Sequence, residues 1–302
     1  MKFVETGGAR VSAIGLGCWQ FGSREWGYGG DYANREAGKI VGRALELGIN
    51  LLDTAEIYGP WRSERIVGEA IRGHREQVFI ATKLFPVGLA FMVRSRARAS
   101  ARRLGVDHID LYQQHWPSAM FTPRSTMPRF RQLVENGLVR HVGVSNHSLA
   151  QWQACDEALG GPVLSNQVRF SLVHREPERE LLPWAQRNGR IVIAYSPLGQ
   201  GALSGKYRDS APRNFRRFSG AFSADARRRR EPLVAGLLDI AKHHHATPAQ
   251  VALAWLIAKP NVVAIPGASS VKQVEENAQA ADLMLAESEI EEIDRLSRVG
   301  RP

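Results

Sequence analysis

Scarcity narrows this chain first. Only two of its 302 residues, Cys18 and Cys155, are cysteines. Two thiols so far apart make neither a disulfide framework nor a thiolate metal site. No apolar run approaches the ~20 residues a membrane-spanning helix needs. The opening residues, Met1-Lys2-Phe3-Val4-Glu5, hold no apolar stretch of the signal-peptide kind. A reducing cytoplasmic setting, with no membrane partner, is therefore expected. Acidic residues are also in deficit, 30 against 40 basic ones, for a formal net charge of +10. Such an excess suits nucleic acid or a phosphorylated small molecule. Much of it is local, in Arg94-Ser95-Arg96-Ala97-Arg98 with Arg102 and Arg103, and in residues 213–230. No helix-turn-helix, zinc-finger or RNA-binding signature accompanies these runs. Solvated helix faces and loop charge account for them more simply, so no nucleic-acid partner is expected.

What is present is an apolar pattern that returns about every 30 residues, the size of one βα unit. The runs are residues 13–16, 50–52, 78–81, 109–112, 141–144, 163–164, 191–194 and 262–265. Several are continuously apolar, as in parallel strands covered on both faces. Between them lie helical spacings. Ile40, Val41, Ala44 and Leu47 form one, ended by Gly48. Ser63 is a candidate cap for a helix carrying Ile66, Val67, Ala70 and Ile71, stopped by Gly73. Pro128 fits a first turn before Phe130, Leu133 and Val134. Thr247-Pro248 opens another helix. With no compositional break, residues 1–302 are expected to form one α/β domain. Its architecture is a (β/α)8 TIM barrel, with an N-terminal β-hairpin up to Val11 closing the bottom. Residues 201–230 lack a period and read as a long loop at the C-terminal face.

The strand ends carry the chemistry. In order they offer Gly17, Asp53, Lys83, His115, Ser145-Asn146, Asn166-Gln167, Tyr195-Ser196 and Pro266-Gly267. A barrel enzyme builds its site from this face. Asp53, Tyr58, Lys83 and His115 are the parts needed to deliver a proton to a carbonyl oxygen. A phenol has an ordinary pKa near 10, too high for a good acid at neutrality, and a neighbouring ammonium favours its phenolate. A carboxylate holds the ammonium charged, and a histidine can orient the carbonyl. Taken singly, Asp53 could cap a turn, Lys83 could be a surface residue, Tyr58 a packed aromatic and His115 a satisfied core histidine. All four coincidences on one rim are hard to sustain together.

From about Val11 onwards the chain resembles the aldo-keto reductase superfamily, closest in pattern to its bacterial NADP-dependent and potassium-channel β-subunit-like branches. The resemblance rests on Leu51-Leu52-Asp53-Thr54-Ala55-Glu56-Ile57-Tyr58-Gly59, Ala81-Thr82-Lys83 and Gln114-His115-Trp116-Pro117. It continues through Gly137-Leu138-Val139-Arg140-His141-Val142-Gly143-Val144-Ser145-Asn146, Ala194-Tyr195-Ser196-Pro197-Leu198-Gly199, and Ile265-Pro266-Gly267 followed by Glu276-Asn277. The resemblance implies a catalytic tetrad of Asp53, Tyr58, Lys83 and His115. Tyr58 would be the general acid in reduction and Lys83 would lower its pKa. The implied cofactor is NADP(H), with NAD(H) as the alternative. Tyr195 would stack on the nicotinamide, and Ser145, Asn146 and Gln167 would hold its carboxamide. Ser196, Pro197, Leu198, Gly199, Gln200, Gly201 and Lys206 would meet the pyrophosphate. Gly267, Ser269, Gln273, Glu276 and Asn277 would take the adenosine-phosphate end, with Ser269, Ser270 and Lys272 on a 2′-phosphate. One large branch carries a lysine and an arginine where this chain has Gly267 and Gln273.

The substrate pocket is expected from Trp19, Tyr58, His115 and Trp116, with Trp26 and Tyr28 as further candidates for an aromatic wall. Cys18 and Trp19 are placed near the cofactor, although Gly15-Leu16-Gly17-Cys18 lacks the spacing of a dinucleotide fingerprint. No metal is expected: in His243-His244-His245 successive side chains do not share a helix face, so a polar helix end is the simpler reading. The implied activity is reduction of a small-molecule aldehyde or ketone to an alcohol. The alternative is a redox-sensing accessory subunit resembling potassium-channel β-subunits. That branch carries asparagine at the tetrad histidine, where this chain has His115. The substrate and the oligomeric state stay open.

Overall fold

A computed structural model describes residues 1–22, 31–207, 210–212 and 219–299. The chain opens with an antiparallel hairpin, β1 (Phe3–Thr6) against β2 (Ala9–Ser12), in which Val4 faces Val11. Eight parallel strands follow: β3 (Leu16–Gly17), β4 (Leu51–Asp53), β5 (Phe79–Leu84), β6 (Ile109–Gln114), β7 (Val139–Ser145), β8 (Ser165–Arg169), β9 (Ile191–Tyr195) and β10 (Val262–Ala264). Each pairs with its sequence neighbour. The ring is closed by a seam between first and last. Gly15 donates its N–H to the Ala264 carbonyl at 2.8 Å, Ala264 donates to Ala13 at 2.9 Å, and Gly17 donates to Pro266 at 3.1 Å.

Two apolar layers follow from the two-residue period of strands. Leu51, Phe79, Ala81, Leu111, Ile191, Ile193 and Val263 point inward, where Ala9 and Val11 of the hairpin join them. Neighbours such as Leu52, Ile80, Val192 and Ala264 point outward to the helices. Double coverage explains the unbroken apolar runs. The hairpin lies at the end where these strands begin, opposite the end where the polar residues emerge.

In chain order the helices are α1 (Trp19–Gly22), α2 (Asp31–Glu46), α3 (Arg62–Ala70), α4 (Val93–Leu104), α5 (Pro123–Glu135), α6 (Leu149–Leu159), α7 (Leu181–Arg187), α8 (Ala224–His243), α9 (Pro248–Ile257), α10 (Val271–Gln279) and α11 (Glu287–Val299). Thr247 and Gln250 form the reciprocal cap that opens α9. Among the described residues no helix is long and apolar enough to cross a membrane.

Several expected boundaries move. Ser63 does not cap α3: Trp61 takes that position, and the buried Ser63 hydroxyl donates to the Cys18 carbonyl at 2.7 Å while accepting from Thr54 Oγ1. Pro128 lies inside α5, because Thr122 caps it and Pro123 occupies its first turn. The strand expected at residues 163–164 is β8, which starts at Ser165. The long loop ends earlier than residue 230, since Ser223 accepts from Ala226 N–H and starts α8. Arg230 on that helix is buried and donates to the Ala221 carbonyl. His243 is the last residue of α8, and His244 Nε2 sits 2.9 Å from both Glu289 carboxylate oxygens. Among the described residues no group of three or more His, Cys, Asp or Glu is placed to hold a metal. Trp26 and Tyr28 lie outside the described residues.

Candidate active site

Lys83, next to last on β5, is fully buried. An ammonium has three donors, and in a dry site each needs an acceptor. Here Nζ reaches Asp53 Oδ2 at 2.7 Å, Asp53 Oδ1 at 2.9 Å, the Thr54 carbonyl at 2.7 Å and the Tyr58 hydroxyl oxygen at 3.3 Å. Burial opposes the lysine charge, but Asp53 and Tyr58 outweigh it and hold the pKa above the ordinary lysine value. Asp53 in turn accepts from Gln167 Nε2 at 2.7 Å, across 114 residues of sequence. The phenol oxygen of half-buried Tyr58 therefore accepts from an ammonium, which leaves its own proton free for a third party.

Burial pushes the Tyr58 pKa up and the Lys83 charge pulls it down; the net direction is upward. The lysine limits the rise without reversing it, contrary to the expected net lowering. His115 stands edge-on to Tyr58 with ring centroids 5.9 Å apart. Burial, with the nearby Lys83 charge, pushes its pKa down to about 3, so the ring is neutral at physiological pH. Its Nδ1 is buried without a hydrogen-bond partner. An orphaned lone pair costs less than an orphaned N–H, so the proton belongs on Nε2, which makes that atom a donor. Phe85 meets His115 edge-on at 5.9 Å and Trp116 stacks on it at 6.4 Å, giving the histidine an apolar surround.

The next strand ends form a polar cluster. Ser145 Oγ donates to the Gln167 carbonyl at 2.8 Å and accepts from Asn146 Nδ2 at 3.0 Å. Asn146 Nδ2 also reaches the His115 carbonyl, and its Oδ1 accepts from Tyr195 OH at 3.0 Å. Tyr195 is half-buried at the end of β9. Backbone strain gathers here too. Asn146, Ser196 and Gln200 all have positive φ, of 61°, 50° and 60°, a conformation that non-glycine residues hold only when the surroundings impose it. Pro197 is buried, Leu198 is half-buried, and Gly199, Gln200 and Gly201 turn in succession with φ of 55°, 60° and 96°.

Beyond β10 the exposed Gly267 backbone bridges to Gly17, and a side chain there would collide with Gln20, whose Nε2 donates to the Ala268 carbonyl at 2.8 Å. Gln273 Oε1 accepts from both the N–H and the hydroxyl of Ser269, and Ser270 caps α10. Asn277 is buried on that helix, while Glu276 pairs with Lys272 at 3.9 Å. Lys206 is exposed and not drawn into the cluster. The buried Cys18 thiol belongs to the outer core, donates to the Leu16 carbonyl at 3.4 Å and has its pKa raised by burial; its N–H donates to the Asp53 carbonyl at 2.8 Å. Trp19 and Trp116 stand at the rim, each nearly half exposed.

Sequence reasoning missed a supporting layer. Glu56 accepts from Phe85 N–H and pairs with the Arg96 guanidinium, tying the turn before Tyr58 to the segment after Lys83. Arg103 pairs at 2.6 Å with Glu64, which is fully buried. Part of the basic run expected to be solvated is thus structural. The signal was Glu56 inside the Asp53–Tyr58 motif, a carboxylate needing a cation.

A family model described as Aldo/keto reductase family matches residues 13–298. An uncharacterized oxidoreductase of Mycobacterium tuberculosis is 50% identical over 305 residues, covering 100% of this chain and 94% of that protein. The methylglyoxal reductase YeaE of Escherichia coli is 34% identical, covering 96% of this chain and 92% of that protein. The crystal structure of an aldo/keto reductase from Klebsiella pneumoniae in complex with NADP and acetate superposes with a TM-score of 0.79 at 32% identity, covering 100% of this chain and 96% of that one.

Proposed function

We propose, from the premise that this chain belongs to the aldo/keto reductase family, that it reduces aldehydes or ketones to alcohols with NADPH, using Tyr58 as the general acid. The chain is an NAD(P)H-dependent oxidoreductase. The observation that carries the finer reading is the Lys83 ammonium shared between Asp53 and the Tyr58 oxygen. NADP in the Klebsiella relative supports the cofactor. The strained, polar turns beyond β7 and β9 also fit a ligand that needs close backbone approach.

When bound, the dinucleotide supplies the hydride that reduces the carbonyl carbon. The Tyr58 O–H donates its proton to the carbonyl oxygen as the new C–H bond forms. Lys83 then stabilises the phenolate left behind, and Asp53, braced by Gln167, keeps Lys83 in place. His115 Nε2–H orients the carbonyl oxygen toward Tyr58. Asn146, Ser145 and the free Gln167 oxygen would hold the carboxamide, and Tyr195 would lie against the ring. The turn from Ser196 to Gly201 would meet the pyrophosphate, with Lys206 at its edge. Gly267, Ser269, Gln273, Glu276 and Asn277 would take the adenosine end.

A panel of aldehydes and ketones, including the methylglyoxal named for the E. coli relative, followed by loss of reduced-cofactor absorbance with NADPH and NADH in parallel, tests the activity. Tyr58→Phe should lower kcat by about a hundred- to ten-thousand-fold, while quenching of tryptophan fluorescence by NADPH persists. Near-normal turnover in that variant would reject Tyr58 as the acid.

A further inference from the structure

Beside the catalytic mouth runs a groove of about 510 Å³ between the segment after β5 and helix α5, lined among others by Leu89, Phe91, Met120, Arg124, Pro128 and Arg129. Three large apolar side chains on it are more than half exposed: Leu89 at 53%, Phe91 at 68% and Met120 at 60%. Contiguous exposed apolar surface of this kind commonly marks a place that something covers. The same groove holds two cations. Arg124 and Arg129 are exposed and have no hydrogen-bonding or ionic partner among the described residues. Neither wall supplies one: residues 85–92 and 115–131 contain no aspartate or glutamate.

Both walls begin at the catalytic histidine. Phe85, edge-on to His115, leads into Leu89 and Phe91; Trp116, stacked on His115, leads into Met120. Met120 follows His115 by five residues, so the backbone cannot carry it farther than about 18 Å away. The groove and the catalytic histidine thus share the same two chain segments, and an elongated molecule whose carbonyl sits at Tyr58 could follow them outward. The groove's apolar floor excludes a heavily hydroxylated body, which would lose hydrogen bonds to water there. Its arginines suit a carboxylate, which matches the guanidinium fork in geometry and charge.

We propose that the groove between residues 89–91 and α5 is the outer subsite for an aldehyde or ketone whose apolar body ends in a carboxylate, held by Arg124 and Arg129. The proposal rests on the reductase reading. The reaction is unchanged: hydride to the carbonyl carbon, proton from Tyr58 to the oxygen, and an alcohol that keeps its carboxylate. The groove sets which carbonyl compounds arrive.

Kinetics with a matched pair, nonanal and azelaic semialdehyde, test it in the wild type and in the double variant Arg124→Ala/Arg129→Ala. Wild-type kcat/KM is expected to favour the acid by about tenfold, and the double variant to remove that advantage through KM without altering nonanal. Equal kcat/KM for the pair, or equal losses on both, overturns the proposal. Calorimetric titration with azelate, which has no carbonyl to reduce, reads the subsite without catalysis. Azelate binding that is lost in the double variant supports the groove even if neither aldehyde is turned over, in which case only the reductase reading fails. No azelate binding to the wild type overturns the groove assignment whatever the kinetics show.

Discussion

A partly buried phenol gives up its proton less readily than one in water, unless a nearby charge offsets the lost hydration of the anion. At Tyr58 the offset from Lys83 is incomplete, and the pKa lies above the ordinary 10.0. In the proposed mechanism the acid thus stays loaded at neutrality, and the ammonium would act chiefly on the charge that appears during reaction. His115, pushed down to about 3, does not titrate near neutrality. The pH dependence follows. The rate constant kcat/KM for reduction should be level through 6.5, the ordinary histidine value, and should fall only above 10.0, as Tyr58 loses its proton. A histidine-like step near pH 6.5 in the profile would contradict this assignment. The grouping of the four proposed catalytic residues was legible because each stands near or just past a strand end. The net direction of the tyrosine shift was not, because it depends on how much water the fold removes. Nor was the Gln167 brace on Asp53, which joins β8 to β4 across the barrel.

At the scale of elements, placement of Tyr58 depends on how the turn after β4 meets the end of α1. Gly59 has φ of +59°, and a Cβ there would overlap the Gly22 carbonyl oxygen; a Cβ on Gly22 would come within 2.5 Å of the Tyr58 carbonyl. Two backbones touch with no room for a methyl group. Gly59→Ala should therefore displace the Tyr58 turn and lower kcat by about a hundredfold, with the far-ultraviolet circular dichroism spectrum retained. Unchanged kcat would mean that the turn relaxes without moving the phenol. Contacts like this explain the helix starts that sequence alone misplaced. Ser63 has the chemistry of a cap, but its hydroxyl is committed to Cys18 and Thr54. Pro128 has the chemistry of a first-turn residue, but Thr122-Pro123 supplies an earlier start. Thr247-Pro248-Ala249-Gln250, with no rival signal nearby, reads correctly.

The whole molecule separates support from chemistry along the barrel axis. Val11 is buried at the floor among inward residues of the strands, while Tyr58, His115 and the groove stand beyond the opposite strand ends. Val11→Ala should thus cost about 2 kcal/mol of stability, measured by urea denaturation, and leave KM unchanged. A shifted KM would show that the floor and the mouth are coupled. The barrel as a class was readable from eight apolar runs, most of them about 30 residues apart, whereas its closing contact was not, since no local pattern says that residues 13–17 and 264–267 are neighbours. That seam sets an order of assembly. Residues 13–17 pair with residues 264–266, so during synthesis their open edge has no lasting partner until the segment around Ala264 has left the ribosome. Until then that edge is open to pairing elsewhere, and a copy that stops before Ala264 leaves the sheet unzipped at this seam.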